Sequence, residues 1–376
     1  MDILGTFAGL FANFADLTWQ MVVMWGIGGL LVYLAIVKKM EPSLLLPMGF
    51  GAILVNLPNS GAITQGDTVG PISELFEIGM ANELFPLLLF IGIGAMIDFG
   101  PLLEKPWLML FGAAAQFGIF FTFALAGLFF DLPDAASIAI IGAADGPTAI
   151  FVANTLGSKY LGAIMVAAYS YMALVPIVQP PVIKMVTTKK ERCIRMPYQK
   201  GSVTKTTKIR FPIVVTVLAG LVAPASVALV GFLMFGNLLR ECGVLNSLSE
   251  TAQNVLANLI TIVLGLTVAG QMTAEKFVRF DTLLIMGLGL FAFVFDTVGG
   301  VMFAKLINLF LPEGKKINPM IGAAGISAFP MSGRVVNQMG LAEDNQNFLL
   351  MYSISVNVSG QIASVIAGGL LLTLMA

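Results

Sequence analysis

Residues 141–150 read IGAADGPTAI, a run of small and apolar residues that contains one carboxylate and a Gly-Pro pair. Pro147 lacks a backbone N–H and interrupts a helical hydrogen-bond ladder, so a continuous helix through this stretch is disfavoured. Irregular backbone at membrane depth is tolerated only where protein buries it or where it lines a cavity. In an apolar chain, the stretch therefore predicts a re-entrant hairpin over 135–158 that enters and leaves the bilayer on one face.

The composition places this hairpin in a membrane protein. Only 11% of the 376 residues are charged, 57% are hydrophobic and the mean hydropathy is +0.91, whereas soluble domains are about 25% charged. These values exclude a soluble enzyme and a disordered chain. The net charge of −1 provides no basic field for nucleic acid, and the absence of histidine excludes His-ligated metal sites and Ser-His-Asp catalysis. We expect an all-α polytopic membrane protein that has no nucleic-acid partner.

A basic segment orients the chain. Residues 184–210 hold nine of the 20 Lys and Arg residues and a single acid, Glu191. Positive charge concentrates in cytoplasmic loops, so we expect this segment to be a cytoplasmic loop. Residues 58–83 contain acids and no Lys or Arg, which predicts an external loop.

The two halves on either side of the basic loop repeat weakly. The motif IGAA recurs at 321–324, and other short matches follow in the same order. We expect a first membrane repeat over 1–183 and a second over 211–376, whose own hairpin covers 317–340. Five crossings per repeat is an odd number, which would invert the second repeat. The alternatives are chance similarity in a Gly- and Ala-rich chain, and one tilted span over 211–238 that would make the repeats parallel. The expected crossings are 19–37, 43–57, 84–99, 107–130 and 160–183, then 210–222, 225–239, 252–270, 281–311 and 347–374.

Asp145 is the first candidate functional residue, because it lies at the break of the first hairpin. A carboxylate at the bilayer centre costs at least about 2.5–3.5 kcal/mol unless something compensates its charge. A cation or a proton is the natural partner, and the free backbone groups of half-helix ends suit ions. The alternative is a helix cap, since Asp caps helix N-termini well.

The second hairpin supplies neutral oxygens and one cation. Asn318, Ser327 and Ser332 offer amide and hydroxyl oxygens, and Arg334 offers a guanidinium. One carboxylate with such oxygens is a hard-ligand shell that suits a monovalent ion better than Ca²⁺, which usually collects several carboxylates. Arg334 either binds an anionic substrate group or lies at the interface, where it snorkels or pairs with an acid.

Further polar residues lie within or beside the expected crossings. Tyr171 follows the first hairpin and can bind an ion, donate a proton or mark an interface. Asp296 is a second intramembrane carboxylate and a second ion or proton candidate. Asp98 and Gln271 occupy equivalent positions of the two repeats and are candidate ligands or cytoplasm-side caps.

Three motifs carry a family resemblance that covers almost the whole chain. The run from Gly142 to Phe151, the run AYSYMALVP at 168–176 and the segment 318–334 resemble the β subunit of the sodium-pumping, biotin-dependent decarboxylases. Members of that family serve oxaloacetate, malonate, methylmalonyl-CoA or glutaconyl-CoA complexes. The compact length is closer to that of the acyl-CoA members.

The resemblance implies a role for each matching residue. Catalysis would involve Asp145, Tyr171 and Arg334, and carboxybiotin would contact Arg334 and Ser332. The Na⁺ ligands implied are Asp145, Asn318, Gly322, Ser327 and Tyr171.

It also implies the setting of the reaction. A β subunit receives carboxybiotin from a separate carrier, decarboxylates it with uptake of a proton and exports Na⁺. The implied partners are a carboxyltransferase α subunit, a biotin carrier subunit, small γ and δ membrane subunits and further copies of β, in the inner (cytoplasmic) membrane of a prokaryote. The chain itself has no Met-Lys-Met biotinylation motif, so biotin would arrive on the carrier, near the basic loop or the second hairpin.

Two other functions compete with this one. Inverted repeats alone would equally support a secondary Na⁺- or H⁺-coupled transporter of an organic anion. A membrane anchor without transport is disfavoured, because an anchor has no use for intramembrane carboxylates such as Asp145 and Asp296.

Overall fold

The computed structural model describes residues 12–197, 201 and 203–375, and every regular element within them is a helix. The α-helices are α1 (Trp19–Ile36), α2 (Pro42–Val55), α3 (Pro71–Gly79), α4 (Leu84–Met96), α5 (Gly100–Glu104), α6 (Met109–Ala115), α7 (Phe117–Ala126), α8 (Leu132–Ala139), α9 (Gly146–Thr155), α10 (Leu161–Val186), α11 (Lys189–Arg192), α12 (Lys205–Val222), α13 (Val227–Glu241), α14 (Asn246–Glu250), α15 (Ala257–Ala269), α16 (Ala274–Phe277), α17 (Phe280–Phe310), α18 (Met331–Glu343) and α19 (Leu350–Met375). Short 3-10 helices cover Ala12–Phe14, Pro106–Leu108, Ile140–Ala143, Pro224–Ser226 and Pro319–Gly325, and a π-helix covers Thr251–Leu256.

The prediction of an all-α polytopic membrane protein is confirmed. Within the described residues six helical stretches are long and apolar enough to cross a bilayer: Trp19–Ile36, Pro106–Ala126, Leu161–Val186, Asn246–Ala269, Phe280–Phe310 and Leu350–Met375. The pair α3 and α4 also passes this test together, with a bend of 69° between its members. Other expected crossings fall on shorter helices, such as the 14 residues of α2 and the 15 of α13. The count of ten crossings and the two inverted repeats therefore stay predictions.

The expected external loop over 58–83 contains a helix that the charge pattern did not indicate. In α3, Pro71 occupies the first turn and Glu74 lies in that same turn. Proline is pre-organised for the first helical position and an acid there interacts favourably with the helix dipole. Ile72 faces inward, where it packs with Val55 and Ala62.

The chain divides into two compact units. The first comprises the described part of residues 1–85 together with 259–284. Its helices α1 and α2 cross at glycines, because a Cβ on Gly28 would lie 2.6 Å from the carbonyl oxygen of Gly49. Asn56 joins α2 to the segment after α15, since its Nδ2 donates to the Met272 carbonyl at 2.7 Å and its Oδ1 accepts from the Ala274 N–H at 2.7 Å.

The second unit comprises residues 86–258 and 285–376, described as far as residue 375. It contains both segments expected to form hairpins, and each folds as short helices with a break; their re-entry into the membrane stays a prediction. The first hairpin is α8, the 3-10 helix Ile140–Ala143 and α9, and the second is the 3-10 helix Pro319–Gly325 followed by α18. The candidate site lies where these two hairpins meet.

A candidate ion site between two broken helices

The first hairpin breaks at Ala144. The 3-10 helix Ile140–Ala143 ends there because Ala144 adopts a left-handed conformation, with φ of +51°. Such a conformation is uncommon for a residue with a Cβ and is found where surrounding structure imposes it. The next residue, Asp145, is extended and forms the N-cap of α9, with Pro147 in the first turn. The turn thus presents the Asp145 carboxylate at the start of a helix.

The second hairpin touches the first directly. After the 3-10 helix Pro319–Gly325 the backbone becomes extended at Ile326. The Ser327 N–H then donates to the carbonyl of Ala143 at 2.9 Å, and the Ser327 hydroxyl donates to Asp145 at 2.9 Å. The structure therefore brings together two of the residues predicted from sequence, one from each hairpin.

The two oxygens of Asp145 have different surroundings. Oδ1 accepts the Thr148 N–H at 3.2 Å. This oxygen therefore caps the N-terminus of α9, which is the alternative role considered for Asp145. Oδ2 accepts three side-chain donors: the hydroxyls of Ser327 and Ser364, at 2.9 and 2.8 Å, and the Gln361 amide at 3.1 Å. The residue is only 3% exposed. These donors stabilise the ionised form of the buried carboxylate, because they replace the water that would solvate it. Asp145 can therefore carry a negative charge inside the protein.

The last helix supplies two of these donors, which the sequence analysis missed. Asn357, Gln361 and Ser364 are buried in α19 at spacings of four and three residues. These spacings place them on one helical face. Asn357 donates to the Ile326 carbonyl at 2.7 Å, beside Ser327. The sequence signal that could have indicated these residues is a row of polar side chains at helical spacing within an apolar span.

A second tyrosine was also missed. The ring of Tyr169 packs on the break, because a Cβ on Gly146 would lie 2.5 Å from Tyr169 Cε1. Its hydroxyl is buried and has no hydrogen-bond partner among the described residues. The predicted tyrosine, Tyr171, instead donates its hydroxyl to the Met286 carbonyl. Its role as an Na⁺ ligand or catalytic group stays a prediction.

Gly322 makes a close backbone contact with α17. A Cβ on Gly322 would lie 2.0 Å from the carbonyl oxygen of Gly300, and a Cβ on Gly300 would lie 2.0 Å from that of Gly322. Only glycines allow this approach. Gly322 lacks a side chain, so its predicted contribution to an ion site would use its backbone oxygen.

Asn318 joins the second hairpin to the basic segment. Its Nδ2 donates to the carbonyls of Arg192 and Ile194, at 2.8 and 2.9 Å, and its Oδ1 accepts from the Met320 N–H at 3.0 Å. Both atoms of its side-chain amide thus have backbone partners. Its role as an Na⁺ ligand stays a prediction.

Ser332 and Arg334 lie in the first turns of α18. The buried Ser332 hydroxyl donates toward Gln179 Oε1 at 2.9 Å and the Ala323 carbonyl at 3.1 Å. Arg334 is exposed, its backbone N–H donates to the Pro330 carbonyl at 3.3 Å, and its guanidinium makes no hydrogen bond or ion pair within the part of the chain that the structure describes. Its guanidinium is therefore open to an anionic ligand.

The other polar candidates differ in their hydrogen-bond partners. Asp98 pairs with Lys208 at 2.9 Å and accepts from the Gly100 N–H at 2.8 Å. The half-buried Gln271 makes no side-chain hydrogen bond to any described residue. Asp296 is 1% exposed and accepts the Ile119 N–H at 3.0 Å.

The basic segment is anchored to the ends of the second hairpin. Arg192 pairs with Glu343 at 2.6 Å and Arg195 with Asp344 at 2.5 Å. The hydrogen bond from Arg195 holds the pKa of Asp344 below its ordinary value. The two regions expected to receive a carrier, the basic loop and the second hairpin, are therefore adjacent. Residues 198–200 and 202 of the loop, including Lys200, lie outside the described residues.

The donor set around Asp145 indicates which ion it can accept. The described residues contain no group of three or more His, Cys, Asp or Glu side chains placed to hold a metal. A single carboxylate with hydroxyl and amide oxygens carries one negative charge, which suits Na⁺ or a proton better than a divalent ion.

Comparison with known proteins agrees with the family resemblance drawn from the motifs. The family described as the Na⁺-transporting oxaloacetate decarboxylase beta subunit matches residues 20–375. The methylmalonyl-CoA decarboxylase subunit beta of Propionigenium modestum is 46% identical over 96% of this chain and 96% of its own length. The glutaconyl-CoA decarboxylase subunit beta of Acidaminococcus fermentans is 46% identical, covering 97% and 96%. The oxaloacetate decarboxylase beta chain of Klebsiella pneumoniae is 44% identical, covering 91% and 92%. The chain therefore belongs to the family of beta subunits of Na⁺-transporting decarboxylases.

Proposed function

We propose that this chain decarboxylates carboxybiotin delivered on a carrier subunit and couples the reaction to Na⁺ export. The observation that carries the proposal is the buried Asp145 carboxylate, where two broken helices meet and three side-chain donors converge on one oxygen. Such a carboxylate can hold either Na⁺ or a proton, but holding both would require two positive charges on one group. Exchange between the two ions is the coupling step.

The proposed Na⁺ site begins with Asp145 and Ser327. Ser364 and Gln361 join them, because their oxygens can turn from the carboxylate to the ion once Na⁺ neutralises the charge. Tyr171, Asn318 and the Gly322 carbonyl are retained as predicted contributors. Proton binding to Asp145 would remove the negative charge and release Na⁺.

The chemical step needs an anion site and a proton. In carboxybiotin the bond between the ring nitrogen and the carboxylate carbon breaks, CO₂ leaves, and the nitrogen takes up one proton. We assign the carboxylate to Arg334, since a guanidinium offers paired planar donors to such a group. Ser332, two residues earlier in α18, would contact carboxybiotin beside Arg334. Tyr171 would donate the proton through its phenol hydroxyl.

The partners follow from the same proposal. A carboxyltransferase α subunit would select the acyl substrate, a carrier would bring biotin, and small γ and δ subunits and further β copies would complete the complex. The Na⁺ gradient would form across a prokaryotic inner membrane. The carrier would approach the anchored basic segment and the second hairpin, which are adjacent through Asn318 and Arg192.

Purified chain in liposomes tests the function with free carboxybiotin as the probe. We expect Na⁺-dependent consumption of carboxybiotin and coupled movement of ²²Na⁺, and loss of both in Asp145→Asn, which is nearly isosteric but uncharged. Asp67→Asn, at an exposed position, is the control and should behave as wild type. An Asp145→Asn variant with near-normal Na⁺-dependent turnover would overturn the assignment. Sodium transport with an organic anion, without carboxybiotin consumption, would identify a secondary transporter.

A further inference from the structure

A cavity of about 490 Å³ lies beside the ends of two long helices. Helix α10 ends at Val186 and α17 ends at Phe310, and both are long and apolar enough to cross a bilayer. Lys305, within the last two turns of α17, pairs with Glu191 in α11 at 3.1 Å. The residues that line the cavity follow these two helix ends in the chain, which is the level of the lipid headgroups for a helix that crosses a bilayer.

The charged side chains that line this cavity carry more positive than negative charge. Lys190, Arg195 and Lys316 line it together with two acids, Glu191 and Glu313. The carboxylate of Glu191 is already paired with α17. That of Glu313 is 92% exposed and lies 3.8 Å from the ammonium of Lys316. Neither acid therefore cancels the positive charge of the whole lining.

Two of these cations are available to a ligand. Arg195 is not one of them, since its guanidinium is paired with Asp344. Lys190 is exposed and makes no side-chain hydrogen bond or ion pair with any residue that the structure describes. Lys316 has only the loose pair with Glu313, which an anion in the cavity can replace. Two ammonium groups on one cavity, one from each side of it in the chain, suit a phosphate.

Large apolar side chains are exposed next to these cations. Leu309 and Phe310, the last residues of α17, are 78% and 82% exposed, and Met185 in the last turn of α10 is 75% exposed. Exposed apolar side chains that adjoin a charged pocket mark a surface for an amphipathic ligand. A free phosphate or an acidic peptide would use the lysines and leave these apolar side chains uncovered.

We propose that this cavity binds the headgroup of an anionic phospholipid. The phosphate would lie against Lys190 and Lys316, and the acyl chains would run along Leu309 and Phe310. Basic pockets at the ends of membrane helices bind such headgroups through their negative charge, and the volume of the cavity is in the range of sites for small ligands. The assignment is independent of the ion site at Asp145.

Native mass spectrometry of the full chain, purified in detergent and titrated with phosphatidylglycerol, measures the affinity for the first bound lipid. The double variant Lys190→Gln, Lys316→Gln should bind this lipid about tenfold more weakly or worse, because both phosphate contacts lose their charge. The matched control is Lys189→Gln, Lys315→Gln. It removes the same charge at the two adjacent exposed positions, which do not line the cavity, and should keep an affinity near that of the wild type.

Phosphatidylglycerol affinity that is unchanged in the first double variant would overturn the site. Equal weakening in both double variants would overturn it too, since the effect would then follow net charge alone. Glycerol 3-phosphate, which carries the same phosphate without acyl chains, separates a lipid from a free phosphate ester. It should not displace the bound lipid at equal concentration, and displacement would overturn the assignment to a phospholipid.

Discussion

At the scale of single residues, the candidate site depends on the unequal use of the two Asp145 oxygens. Sequence reasoning found Asp145 because a charge in a run of small residues is conspicuous, and it found Ser327 because the second hairpin repeats the first. It missed Ser364 and Gln361 because α19 carries no break that marks it. Which face of an unbroken apolar helix meets a hairpin is set by tertiary packing.

Ser364→Ala tests whether α19 contributes to the ion site. The substitution removes the 2.8 Å donor to Asp145 Oδ2 and one potential oxygen ligand. Loss of this ligand oxygen weakens Na⁺ binding, and a weakening of about 1.4 kcal/mol would raise the Na⁺ concentration for half-maximal carboxybiotin turnover about tenfold. The measurement is turnover against Na⁺ concentration.

Ser355→Ala is the matched control for this measurement. Ser355 is also buried in α19, but its hydroxyl donates to the Met351 carbonyl one turn earlier and does not contact Asp145. The control should keep the wild-type Na⁺ requirement. If both variants shift that requirement equally, the effect comes from α19 as a whole and Ser364 is no ligand.

At the scale of elements, breaks and close glycine contacts hold the hairpins in place. The helix breaks in both expected hairpins could be predicted, because the Gly-Pro and Asn-Pro pairs disfavour a continuous helix there. The helix α3 could not be predicted from charge, since its acids suit an exposed loop equally well. The contact between Gly300 and Gly322 could not be predicted either, because α17 contains several glycines and the sequence does not show which of them meets the second hairpin.

Gly300→Ala should destabilise the protein, whereas Gly287→Ala in the same helix should not. A Cβ at 300 would meet a backbone oxygen at 2.0 Å, while a Cβ at 287 meets nothing within 4 Å. Overpacking costs about 1–3 kcal/mol, and removing an interior helical glycine gains up to about 1 kcal/mol. Unfolding of the purified variants in detergent measures the difference. Equal stability of the two variants would mean that α17 and the 3-10 helix Pro319–Gly325 are not packed at Gly300.

At the scale of the whole molecule, composition and charge distribution decide the class of protein. A mean hydropathy of +0.91 and the six stretches among the described residues that can cross a bilayer require membrane insertion. The order of apolar segments could therefore be read from sequence. The number of crossings could not, because helices such as α2 and α13 are shorter than the roughly 20 residues that a perpendicular crossing needs. How deeply α2 and α13 enter the membrane depends on the neighbouring helices that bury them.

Orientation in the membrane gives a prediction that is independent of the chemistry. The basic segment should face the cytoplasm by its charge, and its anchoring through Arg192 and Arg195 places the second hairpin's ends on that same side. In a Cys193→Ser, Cys242→Ser background, Lys189→Cys offers an exposed thiol in this segment, and Asp67→Cys offers one in the acidic segment 58–83.

A membrane-impermeant thiol reagent should therefore label the thiol of Asp67→Cys in intact cells and that of Lys189→Cys only in inverted vesicles. The paired variants control for reagent access and expression, because each is the positive sample in one preparation and the negative sample in the other. The reverse labelling pattern would mean that the whole chain has the opposite orientation in the membrane. The basic segment decides that orientation, because it holds more positive charge than the other loops. The reverse pattern would also put Arg334 and the carrier on opposite sides of the bilayer, which would leave the proposed delivery of carboxybiotin without a route.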